Sequence, residues 1–176
     1  MILPIKIYGD SILRKVSVPI TEKYPNLNQL IDDMFETMHK AKGVGLSAIQ
    51  VGLPIRIFVI EAADEETKFY FKGVFINPNI IKFGEDKKHF PEGCLSIPKV
   101  SGVVERPDTI LIEYFDRNWK KKTDRFEGWK SRIIQHEYEH LQGELYIDNL
   151  STMWKSILIP ALEMIENGTL TGDYLT

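Results

Sequence analysis

The feature that most constrains this chain is the stretch QHEYEH at positions 135–140, which sets His136 and His140 four residues apart with Glu137 directly after the first. At roughly 100° per residue, placing His136 at 0° puts His140 near 40°, so on a helix both imidazoles leave one face. Ile134, Tyr138 and Leu141 fall at about 140° to 200°, the opposite side, and read as core contacts. Glu137 at about 100° and Glu139 at about 300° flank the histidine face. Such a helix has to lie between apolar packing and a polar site. H-E-x-x-H is a pattern in which two histidines bind a metal and the glutamate handles protons. Its bland alternative is a pair of histidines on an exposed face. Burying two imidazoles without partners costs roughly 1 to 3 kcal/mol each, a penalty that a bound metal removes.

A catalytic transition-metal site takes three protein ligands and leaves one position for water. Cys94, in EGCLS (92–96), is the only cysteine of the chain. A lone cysteine also reads as a small buried hydrophobe. Pro91 and Pro98 keep this stretch extended and free of helix, so one short segment can present both a thiolate and a backbone N–H beside a metal.

Around these motifs the apolar pattern changes period. Leu27, Leu30, Ile31, Met34, Phe35 and Met38 recur at helical spacing over residues 26–41, with Gly43 as a stop signal. GVGLSAIQVG follows, with glycines at 43, 45 and 52 that do not suit a helix interior. Runs rich in β-branched and aromatic residues at 56–60, 73–81 and 109–115 predict strands. A turn at Asp116, Arg117 and Asn118 leads to a further strand at 121–126. Helical spacing returns at 129–141, ended by Gly143, and again at 153–166, where Pro160 predicts a kink or a later start. This order reads as one α+β domain over residues 1–176, with antiparallel strands packed around a central metal-binding helix and flanked by an N-terminal and a C-terminal helix.

Composition excludes several classes of function. The formal net charge of -3 gives no electrostatic reason to expect DNA or an anionic membrane as partner. The basic run Lys120 to Lys122 is punctuated by Asp116 and Asp124 and reads as a solvated hairpin. No stretch approaches the roughly 18 apolar residues of a membrane span. The opening MILPIKIYGDSILRK lacks the layout of a secretory signal, and Asp10 makes it a poor transit peptide. With a single cysteine no intrachain disulfide forms, which suits a reducing compartment, and the cytoplasm is the expected location.

GVGLSAIQ (43–50), EGCLS and QHEYEH together, with YGDSILRK near the start and HLQGELYID at 140–148, resemble the peptide deformylases over nearly the whole chain. That resemblance implies a metal-dependent hydrolase that removes the formyl group from the N-terminal formylmethionine of nascent polypeptides. It implies Cys94, His136 and His140 as metal ligands. It implies ferrous iron as the cofactor, with zinc, nickel or cobalt able to replace it, while the Cys-His-His set by itself suits zinc. Bound water would be acidified by the cation, and Glu137 would move the protons. The side-chain amide of Gln50 and the backbone N–H of Leu95 are implied as oxyanion donors, worth roughly 2.7 to 4 kcal/mol each in comparable sites. Gly45, with no side chain, would let the substrate peptide lie along 43–46, and Gly93, just before the cysteine ligand, is a further candidate for substrate contact. Trp129 and Ile133 fall at about 20° and 60° on the ligand side of the wheel, so with Val44 they are candidates for the methionine pocket, and Arg132 at about 320° for its rim. The expected partners are the formylmethionyl peptide and the ribosome near the nascent-chain exit.

The family's first motif usually reads G-x-G-L-A-A-x-Q; here Ser47 replaces the first alanine and Ile49 occupies x. The residue before the second histidine, usually Asp, is Glu139. Glu92, Arg106 and Glu139 are expected to form a charged brace between the Cys94 strand and the helix, since an arginine offers a two-pronged donor to carboxylates. His39 and His89 read as surface residues. Two other functions fit parts of the pattern. A homologue without turnover, acting as a metal-bearing binding module, would have no physical need for Glu137 or Gln50. An ordinary H-E-x-x-H peptidase would draw its third ligand from downstream, but no histidine follows His140 and EGCLS would go unexplained.

Overall fold

A computed structural model describes residues 1–64 and 69–174. In chain order the elements are α1 (Leu27–Lys40), β1 (Gly45–Ser47), β2 (Ile57–Asp64), β3 (Phe69–Phe83), β4 (Lys87–Cys94), β5 (Ile97–Pro107), β6 (Thr109–Phe115), β7 (Lys121–Glu127), α2 (Gly128–His140) and α3 (Thr152–Glu166). Short 3-10 turns at Ser11–Arg14, Ala48–Val51 and Tyr146–Asn149 complete the order. Five strands form an antiparallel sheet in the order β1-β2-β3-β6-β7, and β4 pairs with β5 in a separate two-stranded sheet. The fold is α+β, as the sequence reads.

The alternation of β2 explains the layering. Ile57 and Val59 point to one face, where Ile31, Met34 and Met38 of α1 cover them; Phe58 and Ile60 point to the other, where Ile133, Ile134 and Leu141 of α2 and its end pack. Each such side chain, fully removed from water, contributes about 1.5 to 3 kcal/mol. The third core lies beneath β5, where Ile97, Val100 and Val104 meet Tyr146, Leu150, Leu158 and Ile165. Helix α2 is therefore held between the large sheet and the β4–β5 hairpin, and its histidine face looks toward the hairpin.

Three elements differ from the sequence reading. The segment around Cys94 is part of a hairpin that begins at Lys87 and runs to Pro107. Its prolines sit where β4 and β5 have only one partner each, so their missing N–H groups disrupt no sheet interior. Strand β3 extends well beyond 73–81 at its start, through the pairing of Phe71 with Ala62 and Tyr70 with Ala63. Helix α3 starts at Thr152, capped by the Ser151 hydroxyl accepting from the Trp154 N–H at 3.3 Å, and runs through Pro160. The carbonyl that loses its helical partner belongs to Ser156, an exposed residue, so water can serve it. The turn after β6 forms as expected, with Asp116 Oδ1 accepting from the N–H groups of Asn118 and Lys120.

Candidate metal centre

Two elements carry the three donor residues: Cys94 ends β4, and His136 and His140 lie one turn apart on α2. Their potential ligand atoms all lie within 4.8 Å of one another. The Nε2 of His140 is 3.3 Å from Cys94 Sγ, and the two imidazole planes are nearly perpendicular at 81°. Nδ1 of His136 is 3.0 Å from a Glu92 carboxylate oxygen, which leaves its Nε2 for the shared space. Carboxylates in this role fix the ring orientation of a ligating histidine. His140 has no such orienting partner, since its Nδ1 is buried without a hydrogen bond among the described residues. One thiolate and two imidazoles converging from a strand end and a helix suit a divalent transition metal with one position left open.

Burial lowers the pKa of both imidazoles, but with opposite outcomes. At His136 the hydrogen bonds to Cys94 and Glu92 outweigh burial and hold the value well above the ordinary one. At His140 burial dominates, with the His136 and Arg106 charges adding to it, and the value falls well below. Glu137 is raised by burial, against the opposing pull of His136 and the Ser47 hydroxyl. Burial thus favours the protonated form of this carboxyl, the direction in which a group that exchanges protons is tuned.

The brace expected from the sequence is present. Arg106, with its side chain only 3% exposed, gives Nε to Glu92 at 2.6 Å and Nη2 to the second Glu92 oxygen at 2.8 Å. The same guanidinium binds both oxygens of Glu139, one through Nη1 and the other through Nη2 at 2.9 Å. Arg132 adds a further contact to Glu92 at 2.6 Å and also donates to the carbonyls of Val104 and Lys88. Burial pushes the Glu92 carboxyl upward, but His136 and Arg106 outweigh it and hold the pKa at about 2.

Gln50 stands on the other side of Cys94. Its Oε1 accepts from the Ser47 backbone N–H at 2.8 Å, which fixes the amide so that Nε2 points to Cys94 Sγ at 3.5 Å and Ser96 Oγ at 3.1 Å. A donor held in this way needs no reorganisation to meet a developing negative charge. Leu95, at the tip of the β4–β5 hairpin, packs its side chain close over Gly43.

A cleft of about 520 Å³ opens in front of these groups. Gln50, Cys94, Leu95, His136 and Glu137 line it, while His140 lies behind. Val44, Gly45, Gly93, Trp129, Arg132 and Ile133 line it too, so every residue singled out for substrate contact faces the same space. Val44 and Trp129 remain exposed at its edge, whereas Ile133 is buried in its wall. Arg132 does more than edge the cleft, because its hydrogen bonds tie β4 to α2. Tyr138 points away, packed against the large sheet with the Arg56 guanidinium over its ring. His39 and His89 are exposed, beside Glu61 and Glu105. Sequence reasoning did not identify Ser47 as a partner of Glu137 or Tyr174 as a wall of the cleft. The sequence places Glu92 in the brace, but its bond to His136 depends on the hairpin register, for which an isolated motif carries no signal.

The sequence model of the family described as polypeptide deformylase matches residues 2–156. A peptide deformylase of Flavobacterium johnsoniae is 46% identical over 185 residues, spanning 99% of this chain and 94% of the relative. Among solved structures, a plant peptide deformylase superposes with a TM-score of 0.87 at 33% identity, covering 97% of this chain and 95% of the other. The peptide deformylase of Plasmodium falciparum superposes with a TM-score of 0.85 at 39% identity, covering 94% and 96%. No helix among the described residues is long and apolar enough to cross a membrane.

Proposed function

This chain belongs to the polypeptide deformylase family, and from that premise we infer the chemistry of its cleft. It is a metal-dependent hydrolase that removes the formyl group from the N-terminal formylmethionine of nascent polypeptides and releases formate. The observation that carries this reading is the placement of Cys94, His136 and His140 within 4.8 Å of one another, with the buried Glu137 and the fixed amide of Gln50 facing the same cleft.

Cys94, His136 and His140 would hold one divalent cation per chain. Ferrous iron is the reading that the family favours, with zinc, nickel and cobalt as replacements. When bound there, such a cation would supply an acidified water as nucleophile and a Lewis acid for the formyl oxygen. Glu137 takes the proton of the attacking water and gives one to the departing amine, so that formate and a free methionyl N-terminus result. Ser47 holds the carboxylate for both transfers. The Nε2 of Gln50 and the backbone N–H of Leu95 receive the oxyanion. A negative charge there is met by donors already in position, and in comparable sites each is worth roughly 2.7 to 4 kcal/mol.

The substrate backbone lies against β1, which is an edge strand of the large sheet and borders the cleft at Gly45. Val44, Trp129 and Ile133 enclose the methionine side chain, and Gly93 and Arg132 close the side toward β4. One catalytic domain, 1–176, carries the whole site. Its action on nascent chains places it in the cytoplasm near the ribosomal exit. The binding-module alternative gains nothing here, since Glu137 and Gln50 both face the cleft.

The test is anaerobic formate release from a formyl-Met-Ala-Ser peptide before and after chelation. Activity lost on chelation and restored by ferrous iron is expected. Release that chelation leaves untouched would sink the reading.

A further inference from the structure

Beyond α3 the chain folds back toward the cleft. The Leu170 N–H donates to the Met164 carbonyl at 2.8 Å, and the Leu170 side chain packs on the core beneath β5. Asp173 pairs with Lys99 Nζ at 3.1 Å, and Lys99 belongs to the cleft wall. Between these anchors lies Gly172, where a Cβ would meet the Tyr174 ring at 2.5 Å. Glycine at this position lets the backbone close over the ring.

Tyr174 then reaches the hairpin tip, where its hydroxyl donates to the Leu95 carbonyl. Its side chain borders two cavities at once. One is the substrate cleft; the other, of about 280 Å³ and open to solvent, is bordered by Ile2, Leu3, Pro4 and Ile5 of the N-terminal segment and by Thr37, Lys40 and Ala41 at the end of α1. The aromatic ring thus stands between the cleft and a neighbouring space whose apolar wall is Ile2, Leu3, Pro4 and Ile5. It lies beside Leu95, and no step of the formyl chemistry uses it.

We propose that Tyr174 is a specificity-determining residue: its ring closes the cleft beside Leu95 and keeps bulky side chains of the residues after formylmethionine out of the neighbouring cavity. The Asp173–Lys99 pair, the packed Leu170 and the close approach of Gly172 hold the ring in that place without the hydroxyl. This inference rests on the deformylase reading, because it concerns the peptide that follows the formylated residue. Replacing the ring by a methyl group joins the two spaces, and an aromatic side chain of the substrate gains an apolar surface to bury against.

The experiment uses the full-length, metal-loaded protein with formyl-Met-Ala-Ala, formyl-Met-Trp-Ala and formyl-Met-Ala-Trp. Calorimetric Kd values for the three deformylated product peptides accompany the kinetics. For Tyr174→Ala the ratio of kcat/KM between a Trp peptide and the Ala peptide is expected to rise about tenfold at one of the two positions. The change should be carried by KM and mirrored in product Kd. Tyr174→Phe, which keeps the ring, should stay within about twofold of the wild-type ratio. An unchanged ratio at both positions in Tyr174→Ala overturns the proposal. An equal change on all three peptides, the mark of a general plug, overturns it as well, as does a Phe variant that behaves like Ala. Formate release from formyl-Met-Ala-Ala by the wild type, read in the same assay, tests the deformylase reading separately.

Discussion

The Ser47 hydroxyl lies 2.8 Å from Oε2 of Glu137 and 2.9 Å from the same residue's carbonyl oxygen, joining β1 to α2 at the residue proposed to move protons. Gly45, two positions earlier on the strand, abuts that carboxylate as well. Residues two apart on a strand share a face. The short edge strand proposed to receive the substrate is therefore also the element that positions the acid.

Ser47→Ala removes a buried hydrogen bond to a charged-type acceptor and leaves its partner without that donor. A loss of about 1 to 2 kcal/mol in unfolding free energy is expected. Urea unfolding of the metal-loaded variant measures it, with metal content unchanged. A variant as stable as the wild type would show that other donors take over.

Gly45→Ala places a methyl group against the Glu137 carboxylate. Displacing a catalytic group by about 1 Å can cost on the order of 100-fold in rate. A fall of that size in kcat is expected, with the metal retained because the atoms nearest the added methyl all belong to Glu137. Loss of metal instead of rate would place the damage elsewhere.

Arg106→Ala leaves Glu92 and Glu139 facing each other without the cation between them. Breaking a buried ion pair from one side costs about 3 to 5 kcal/mol. Metal affinity should fall roughly 10 to 100-fold, because Glu92 orients His136. Denaturant unfolding and a metal titration against a competing chelator read the two effects. Neither moving would contradict the brace.

Metal removal should lower thermal stability, since the cation binds the folded site. Adding the metal back to about a hundredfold over its Kd is expected to return about 2.7 kcal/mol. Cys94→Ser should show a smaller return at the same metal concentration, and a return equal to the wild type would remove Cys94 from the ligand set.

Much of the site was legible because its chemistry is local. The angular spacing on α2 separated His136 and His140 from Ile134 and Leu141 without any tertiary information, and Tyr138 faces the sheet as that spacing requires. The family resemblance supplied Gln50 and Leu95, which no periodicity singles out. What the sequence concealed depends on pairing and on distance along the chain. The register that sets Glu92 and Arg106 on one face of the hairpin arises only when β4 and β5 pair. Tyr174 is 79 residues from Leu95, and only the return of the tail brings them together. The later start of α3 that Pro160 suggested does not occur, because the cost of a proline depends on whether the freed carbonyl reaches water, which the exposed Ser156 decides.

The most direct test of the account is formate release by metal-loaded Glu137→Gln beside the wild type, with metal content determined on the same samples. Glutamine keeps the shape of the side chain but cannot take the proton. Equal metal in both proteins, with turnover reduced at least 100-fold in the variant, is the expected result. Turnover near the wild-type rate at equal metal content would contradict the assignment of Glu137 and, with it, the mechanism proposed for this cleft.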